Sequence, residues 1–308
     1  MTKIYDDGSS YAWTPEMGED GIVIRISKST AGSLGWCAQQ MWLQQNYPKP
    51  QGLVKHLVVG DDVHNGLDLL YQGMEEMGVT EGFRMLLRKG EDVTSYLKSR
   101  IPDEKTIVAN RRAENKDFPF YHDEYYNNMN WLMEFENARM KMDAENPLPV
   151  ANEVRVEVRV EMDIEGYGTV PVQFVGIIDR VFNAPDGGGL MLYELKTGKW
   201  NNWKTADMRK EMAFYKFLIE QCDADYRAEL GLERPITHWG WRYSAADHWH
   251  TEKSKTVSER SMMTRVKKLI KMYLENHFPI AQENPKFSPC SYCDYLELCP
   301  KYAIQVSE

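Results

Sequence analysis

The clearest pattern along the chain lies at residues 153–162 (EVRVEVRVEM), where apolar and polar positions alternate strictly. A period of two predicts a half-buried antiparallel strand. Residues 170–183 (VPVQFVGIIDRVFN) predict a second strand, and the Pro-Asp-Gly-Gly-Gly stretch at 185–189 predicts a turn after it. The third strand, 190–196 (LMLYELK), is apolar at successive positions until its end, as expected of a strand covered on both faces in the middle of a sheet. A helix is expected over 205–221, strands over 237–244 and 248–253, and a helix over 258–276.

Ahead of this block the pattern is mostly helical. GIVIRIS at 21–27 reads as a short strand, and Ser27 or Ser29 is placed to cap a helix over 30–45 that contains Cys37 and stops at Tyr47-Pro48. Residues 53–62 lead into a second helix, 63–77, with His64 near its start. Residues 80–146 are expected to be helical and irregular, with a polar connector around 110–117 and a long helix at 121–143 whose Tyr and Met positions pack a lobe. This order predicts an α/β fold: a mixed central sheet flanked by helices from both ends.

Composition narrows the class. With 308 residues and 43% apolar content, the chain can bury one sizeable core with a helical lobe attached. No stretch approaches the roughly 20 apolar residues of a membrane helix. Residues 1–20 carry acids and no apolar segment of the signal-peptide kind. A cytoplasmic protein without membrane contact is therefore expected, and five cysteines in that setting point to metal or redox use over disulfides. The net charge of −9 weighs mildly against a generic nucleic-acid binder. Local basic stretches coexist with it: Lys204, Arg209, Lys210 and Lys216, and a second run at 252–271.

The candidate chemistry collects at the strand ends. Glu194 and Lys196 are two apart on one strand, so their side chains share a face. Asp179 nears the end of the preceding strand, and pairing of the two strands would bring it alongside. Two carboxylates there suit Mg²⁺ or Mn²⁺, which prefer hard oxygen ligands, and the Leu195 carbonyl offers another. Lys196 would orient or help deprotonate an attacking water. The plainer alternative is a structural Glu–Lys pair at a strand end. Near the C-terminus, Cys290, Cys293 and Cys299 form a compact trio followed by Pro300, and Cys37 stands far upstream. Four thiolates can hold an iron–sulfur cubane or zinc, although zinc ribbons usually bring two close C-x-x-C pairs. Cys222 has no such company.

The stretches Gly176-Ile-Ile-Asp179-Arg180 and Tyr193-Glu194-Leu195-Lys196-Thr197-Gly198 resemble the RecB-like branch of the PD-(D/E)XK nucleases. Ile178 replaces the family's proline, and Glu194 replaces its commoner Asp. Gly60-Asp61-Asp62-Val63-His64 resembles the family's G-x-x-x-H helix, whose histidine reaches the metal. Glu211 and Tyr215 resemble its Q-x-x-x-Y motif, with Glu in place of Gln. The remote cysteine plus trio, with Ser27-Lys28-Ser29 upstream, is similar to CRISPR-associated iron–sulfur exonucleases and AddB-type nuclease domains; Ala38 follows Cys37 where proline is usual.

This resemblance implies a restriction-endonuclease-like single nuclease domain over 1–308. Its parts are an iron–sulfur lobe at 22–48 plus 280–302, a helical lobe at 60–149 and a core at 150–258. It implies a metal-dependent deoxyribonuclease, an exonuclease acting in DNA processing, repair or recombination. His64, Asp179, Glu194 and Leu195 would hold Mg²⁺ or Mn²⁺, and Lys196, Glu211 and Tyr215 would assist. Cys37, Cys290, Cys293 and Cys299 would hold a 4Fe–4S cluster in a structural role. DNA is the implied partner, with other recombination or replication proteins beside it. The chain lacks a G-x-x-x-x-G-K-S/T loop, so no helicase activity is expected. Two rivals remain: a DNA-binding or adaptor module that keeps the fold without cutting, and a zinc-stabilised structural protein. Trp200, Trp203, Trp239 and Trp241 flank the core, and one or two could stack on single-stranded bases.

Overall fold

The computed structural model describes residues 3–4, 10–11, 16–18, 21–33, 37–47, 55–114, 116, 118–246, 248–281 and 289–300. Its strands are β1 (Lys3–Ile4), β2 (Ser10–Tyr11), β3 (Glu16–Gly18), β4 (Gly21–Ser27), β5 (Ala151–Ile164), β6 (Gly168–Asn183), β7 (Leu190–Lys196), β8 (Ile236–Tyr243) and β9 (His248–Lys253). Its α-helices are α1 (Lys28–Ser33), α2 (Ala38–Asn46), α3 (Lys55–Glu76), α4 (Glu81–Arg88), α5 (Thr94–Lys98), α6 (Glu104–Ala113), α7 (His122–Met142), α8 (Thr205–Gln221), α9 (Ala224–Glu229) and α10 (Thr256–Glu275). The fold is mixed α/β with a helix-flanked sheet, as predicted. Two compact units are distinguished: Met1–Gly52 with Val156–Gly176 and Thr256–Glu308, and Leu53–Arg155 with Ile177–Lys255. Several predicted features lie outside the described residues: most of 1–20, the stop at Pro48, the lead-in at 53–54, and parts of the cysteine lobe at 34–36, 282–288 and 301–302.

In the second unit the sheet order is β6–β7–β8–β9. Strand β7 lies antiparallel to β6 and parallel to β8, and every residue from Leu190 to Leu195 is buried. Its unbroken apolar run thus matches its central place. Strand β9 pairs antiparallel with β8. Helix α3 buries Val59, Val63, Leu67, Leu70, Tyr71 and Met74 along one stripe. These side chains pack with Tyr125, Met129, Leu132 and Met133 of α7. Leu195 of β7 enters the same cluster, which ties α3 to the end of the central strand.

Helix α3 begins at Lys55, eight residues before its predicted start, so His64 sits mid-helix. The reason is Asp62. The two consecutive acids Asp61-Asp62 read as part of a polar lead-in, yet the Asp62 side chain is fully buried, and its carboxylate pairs with Arg111 Nε of α6 at 3.2 Å. Burial lifts the Asp62 pKa to about 6, against the pull of the Arg111 charge. Arg111 also donates to the Phe118 carbonyl at 3.0 Å. Arg111→Met should strand a buried carboxylate and lower unfolding free energy by about 3–5 kcal/mol, measured by urea denaturation. Adding Asp62→Asn should recover much of that loss; if it does not, the damage lies in packing and not in the ion pair.

In the first unit β3 pairs antiparallel with β4, and β4 runs parallel to the first half of β6, with Ile24 opposite Val172 and Ile26 opposite Phe174. Strand β5 also pairs with β6. Its alternation is realised: Val154, Val156, Val158, Met162 and Ile164 are buried while the acids and arginines between them face outward. The turn into β6 places Gly166 and Gly168 at φ of 87° and 73°, a region other residues enter at a cost. Helix α10 buries Met262, Val266, Leu269, Ile270 and Tyr273 on one face. No described helix is long and apolar enough to cross a membrane.

Candidate active site and cysteine group

Strand pairing delivers the predicted carboxylates to one place. Arg180 of β6 lies opposite Tyr193 of β7, which sets Asp179 beside Glu194. The Leu195 N–H donates to Asp179 Oδ2 at 2.7 Å, fixing that carboxylate at the strand end. From α3, His64 Nε2 contacts the Leu195 carbonyl oxygen at 3.1 Å, and His64 Nδ1 lies 3.7 Å from Asp179 Oδ2. Gly60 of α3 lies against Thr197 just past β7, where an added Cβ would stand 3.4 Å from Thr197 Oγ1, near ordinary contact distance.

A residue that the sequence did not single out completes the group. Glu153 Oε1 lies 3.4 Å from His64 Nδ1, and ligand atoms of His64, Glu153 and Asp179 all fall within 4.8 Å of one another. A nitrogen and two carboxylate oxygens at this spacing fit a divalent cation. Glu153 adopts a φ of 48°, a left-handed conformation uncommon outside glycine. Strain of this kind persists where surrounding structure holds it, often at functional sites. Nothing local marks it out, since Glu153, Glu157 and Glu161 occupy equivalent positions in one alternating strand. Burial lowers the His64 pKa, but the Asp179 charge and the Glu153 contact raise it further, so it ends above its usual value.

Protons and metal therefore compete for His64. The apparent Mn²⁺ affinity should fall by roughly tenfold per pH unit once pH drops below the raised His64 value, because one proton must leave for the ring to ligate. Equilibrium dialysis between neutral and mildly acidic pH measures this, and Glu153→Gln should weaken binding at all these pH values by about 10–100-fold.

Glu194 and Lys196 are tied to each other and to α8. The Lys196 ammonium contacts the Glu194 carboxylate and lies 3.2 Å from Glu211 Oε2 of α8. Glu194 is buried and is not one of the three residues, His64, Glu153 and Asp179, whose ligand atoms converge. Glu211 thus acts as a second anchor for Lys196. Tyr215, one turn further along α8, is buried; burial and then the negative charges of Glu194 and Asp179 push its hydroxyl well above the usual tyrosine range. Two of the four singled-out tryptophans are core residues, Trp239 and Trp241, both 0% exposed.

The cysteines belong to the first unit. Cys37 is not inside a helix, as expected from the sequence, but is the extended residue before α2, with φ −157°. Its Sγ accepts from the Ala281 N–H at 3.4 Å. Leu43 of α2 packs with Tyr295 and Cys299, and Cys293 borders that cluster. The Cys293 N–H donates to the Cys290 carbonyl at 3.2 Å. Burial raises the Cys293 thiol pKa, and the nearby Cys37, Cys299 and Cys290 thiols raise it further. Among the described residues no three of them lie within 4.8 Å of one another. One zinc ion with bonds of 2.3 Å would draw its sulfurs to about 3.8 Å. The all-thiolate donor set fits a soft metal centre. Cys222 is in the other unit, at the C-terminal end of α8.

No curated protein matches the chain. Among solved structures, SSO0001 is 14% identical, with a TM-score of 0.31 over 76% of this chain and 95% of its own. Scheffersomyces stipitis Rai1, solved alone and in complex with (3'-NADP)+ and calcium ion, is 12% identical, with a TM-score of 0.23 over 90% of this chain and 82% of its own. The family model for the PD-(D/E)XK nuclease superfamily matches residues 25–300. That match takes in the helix of His64, the strand of Asp179 and the Glu194–Lys196 strand end alike, and the chain belongs to the PD-(D/E)XK nuclease superfamily.

Proposed function

We propose that this chain is a DNA exonuclease of the RecB-like branch, dependent on Mg²⁺ or Mn²⁺, and that Cys37, Cys290, Cys293 and Cys299 hold a 4Fe–4S cluster. The observation that carries the nuclease reading is the convergence of His64, Glu153 and Asp179 within 4.8 Å at the end of the strand bearing Glu194 and Lys196. These three residues would hold the cation, with Glu194 and the Leu195 carbonyl close by. When bound, a divalent cation neutralises phosphate charge and lowers the pKa of a water.

The protein's own groups do the rest. Lys196, held between Glu194 and Glu211, presents an ammonium whose donors can orient a water and meet a phosphate oxygen. Tyr215 keeps its proton at neutral pH, so it stands beside the carboxylates as a neutral hydroxyl. The cluster reading is supported by the influence of the nearby Cys37, Cys299 and Cys290 thiols on Cys293 and by the resemblance of the cysteine spacing to iron–sulfur nucleases. Its expected role is to fasten α2 to the C-terminal segment.

End-labelled single- and double-stranded DNA incubated with Mg²⁺ or Mn²⁺ tests the activity. Progressive loss of nucleotides from an end, stopped by chelator and absent on circular DNA, is the expected result. Binding without cleavage under every condition would favour the adaptor reading instead.

A further inference from the structure

The segment linking β7 to α8 leaves the active site directly, starting one residue after Lys196. It runs Thr197-Gly198-Lys199-Trp200-Asn201-Asn202-Trp203-Lys204. Trp200 anchors it. Its ring stacks on His248 with centroids 3.9 Å apart and planes 9° from parallel, and its edge meets Tyr243 at 4.9 Å. Trp203 stands differently, with 58% of its surface exposed. Covering that exposed indole surface with another ring would be favourable.

Lys204 sits under the same roof. Its ammonium is 5.0 Å from the Tyr243 ring centroid and 5.8 Å from that of Trp203, and it donates to the Lys199 carbonyl. Tyr243 is the β8 residue in register with Lys196, so Lys204 is held at the catalytic strand end. Lys196 has two carboxylate neighbours, whereas among the described residues Lys204 pairs with none. Partial burial and the positive charge of Lys196 both lower its pKa, so the two cations repel each other there. An anion bound between them reverses that sign.

We propose that Trp203 and Lys204 form a nucleotide subsite on the rim of the active site, in which Trp203 stacks on an unpaired base and Lys204 takes the phosphate next to the one cleaved. A polyanion with accessible ring faces satisfies both groups at once, and only a single strand offers such faces. The subsite therefore selects single-stranded ends. This inference rests on the nuclease reading above and specifies how the strand is gripped.

The test uses the full chain, a fluorescein-labelled oligothymidylate and a blunt duplex of the same length. Binding is measured in the non-cutting Asp179→Asn background, and cleavage with Mn²⁺ in the otherwise native protein. Trp203→Ala should weaken single-strand binding by about tenfold or more and raise KM while sparing kcat; duplex binding should change by less than about twofold. Lys204→Ala should flatten the dependence of log affinity on log salt by about 0.7, and Lys204→Arg should restore it. Trp131→Ala, which removes another exposed indole on α7, should alter neither. Single-strand affinity, KM and salt slope all unchanged in the Trp203 and Lys204 variants of a protein that does cut would overturn the subsite alone. A native protein that neither binds nor cuts DNA would overturn the nuclease reading, and the subsite with it.

Discussion

Asp179→Asn is expected to abolish cleavage while leaving the melting temperature within a degree or so of the native value. The choice of Asn follows from the hydrogen bond at 2.7 Å that Asp179 Oδ2 accepts from the Leu195 N–H. Asparagine keeps an oxygen for that donor and removes the charge that a cation needs. Alanine would also leave the buried N–H without its acceptor, at about 1–3 kcal/mol, and would mix a folding defect into the result. Loss of a metal ligand removes charge stabilisation from the whole reaction, so the rate should fall by at least about 1,000-fold, or about 4 kcal/mol of barrier. Lys196→Ala is a milder case. One lost transition-state contact costs roughly 2.7–4 kcal/mol, a factor of about 100 to 1,000, while metal binding persists. Rates come from end-labelled DNA with Mn²⁺, and metal affinity from dialysis. Native rates in Asp179→Asn would remove this cluster from the chemistry. A Lys196 variant at native rate would leave that residue a structural partner of Glu194 and Glu211.

How much of this was legible in the sequence depends on the range of the interaction. The burial of β7 and the alternation of β5 are local patterns, and both appear where the hydrophobic periods placed them. Helix α8 begins and ends where expected for the same reason. Long-range contacts were not legible. The early start of α3 depends on Arg111, 49 positions beyond Asp62, and nothing near Asp62 announces it. Glu153 was missed because its neighbours in the strand are also acids. Only the fold, by bringing the start of β5 to His64 and twisting Glu153 to a φ of 48°, sets it apart. Cys37 was drawn inside a helix because the apolar spacing runs on past it. Cys37 is instead extended, immediately before α2 begins at Ala38. The tryptophans show the limit of composition: Trp239 and Trp241 are core residues on a buried strand, and Trp203 stays at the surface.

The cysteines provide the remaining large effect. Serine at Cys37, Cys290, Cys293 or Cys299 is expected to lower both the iron bound per chain and the melting temperature. A bridge from Cys37 to the trio closes a loop of roughly 250 residues, whose closure costs about 5 kcal/mol of chain entropy that metal–thiolate bonds must offset. Loss of one ligand would remove that offset from the segment where α2 meets the C-terminal residues, around Leu43, Tyr295 and Cys299. A shift on the order of 10 °C follows from that magnitude for a chain of this size. Cys222→Ser is the internal control. That residue lies in the other unit, at the end of α8, so its loss should spare iron and cost little stability. Anaerobic purification, iron analysis and absorbance near the charge-transfer region of iron–sulfur proteins read the metal; calorimetry reads the stability. Zinc in place of iron in the native protein would replace the cluster with a structural zinc site. Full iron retention in Cys37→Ser would take Cys37 out of the ligand set. The trio would then need a fourth donor from elsewhere, and the long loop would no longer be closed by metal.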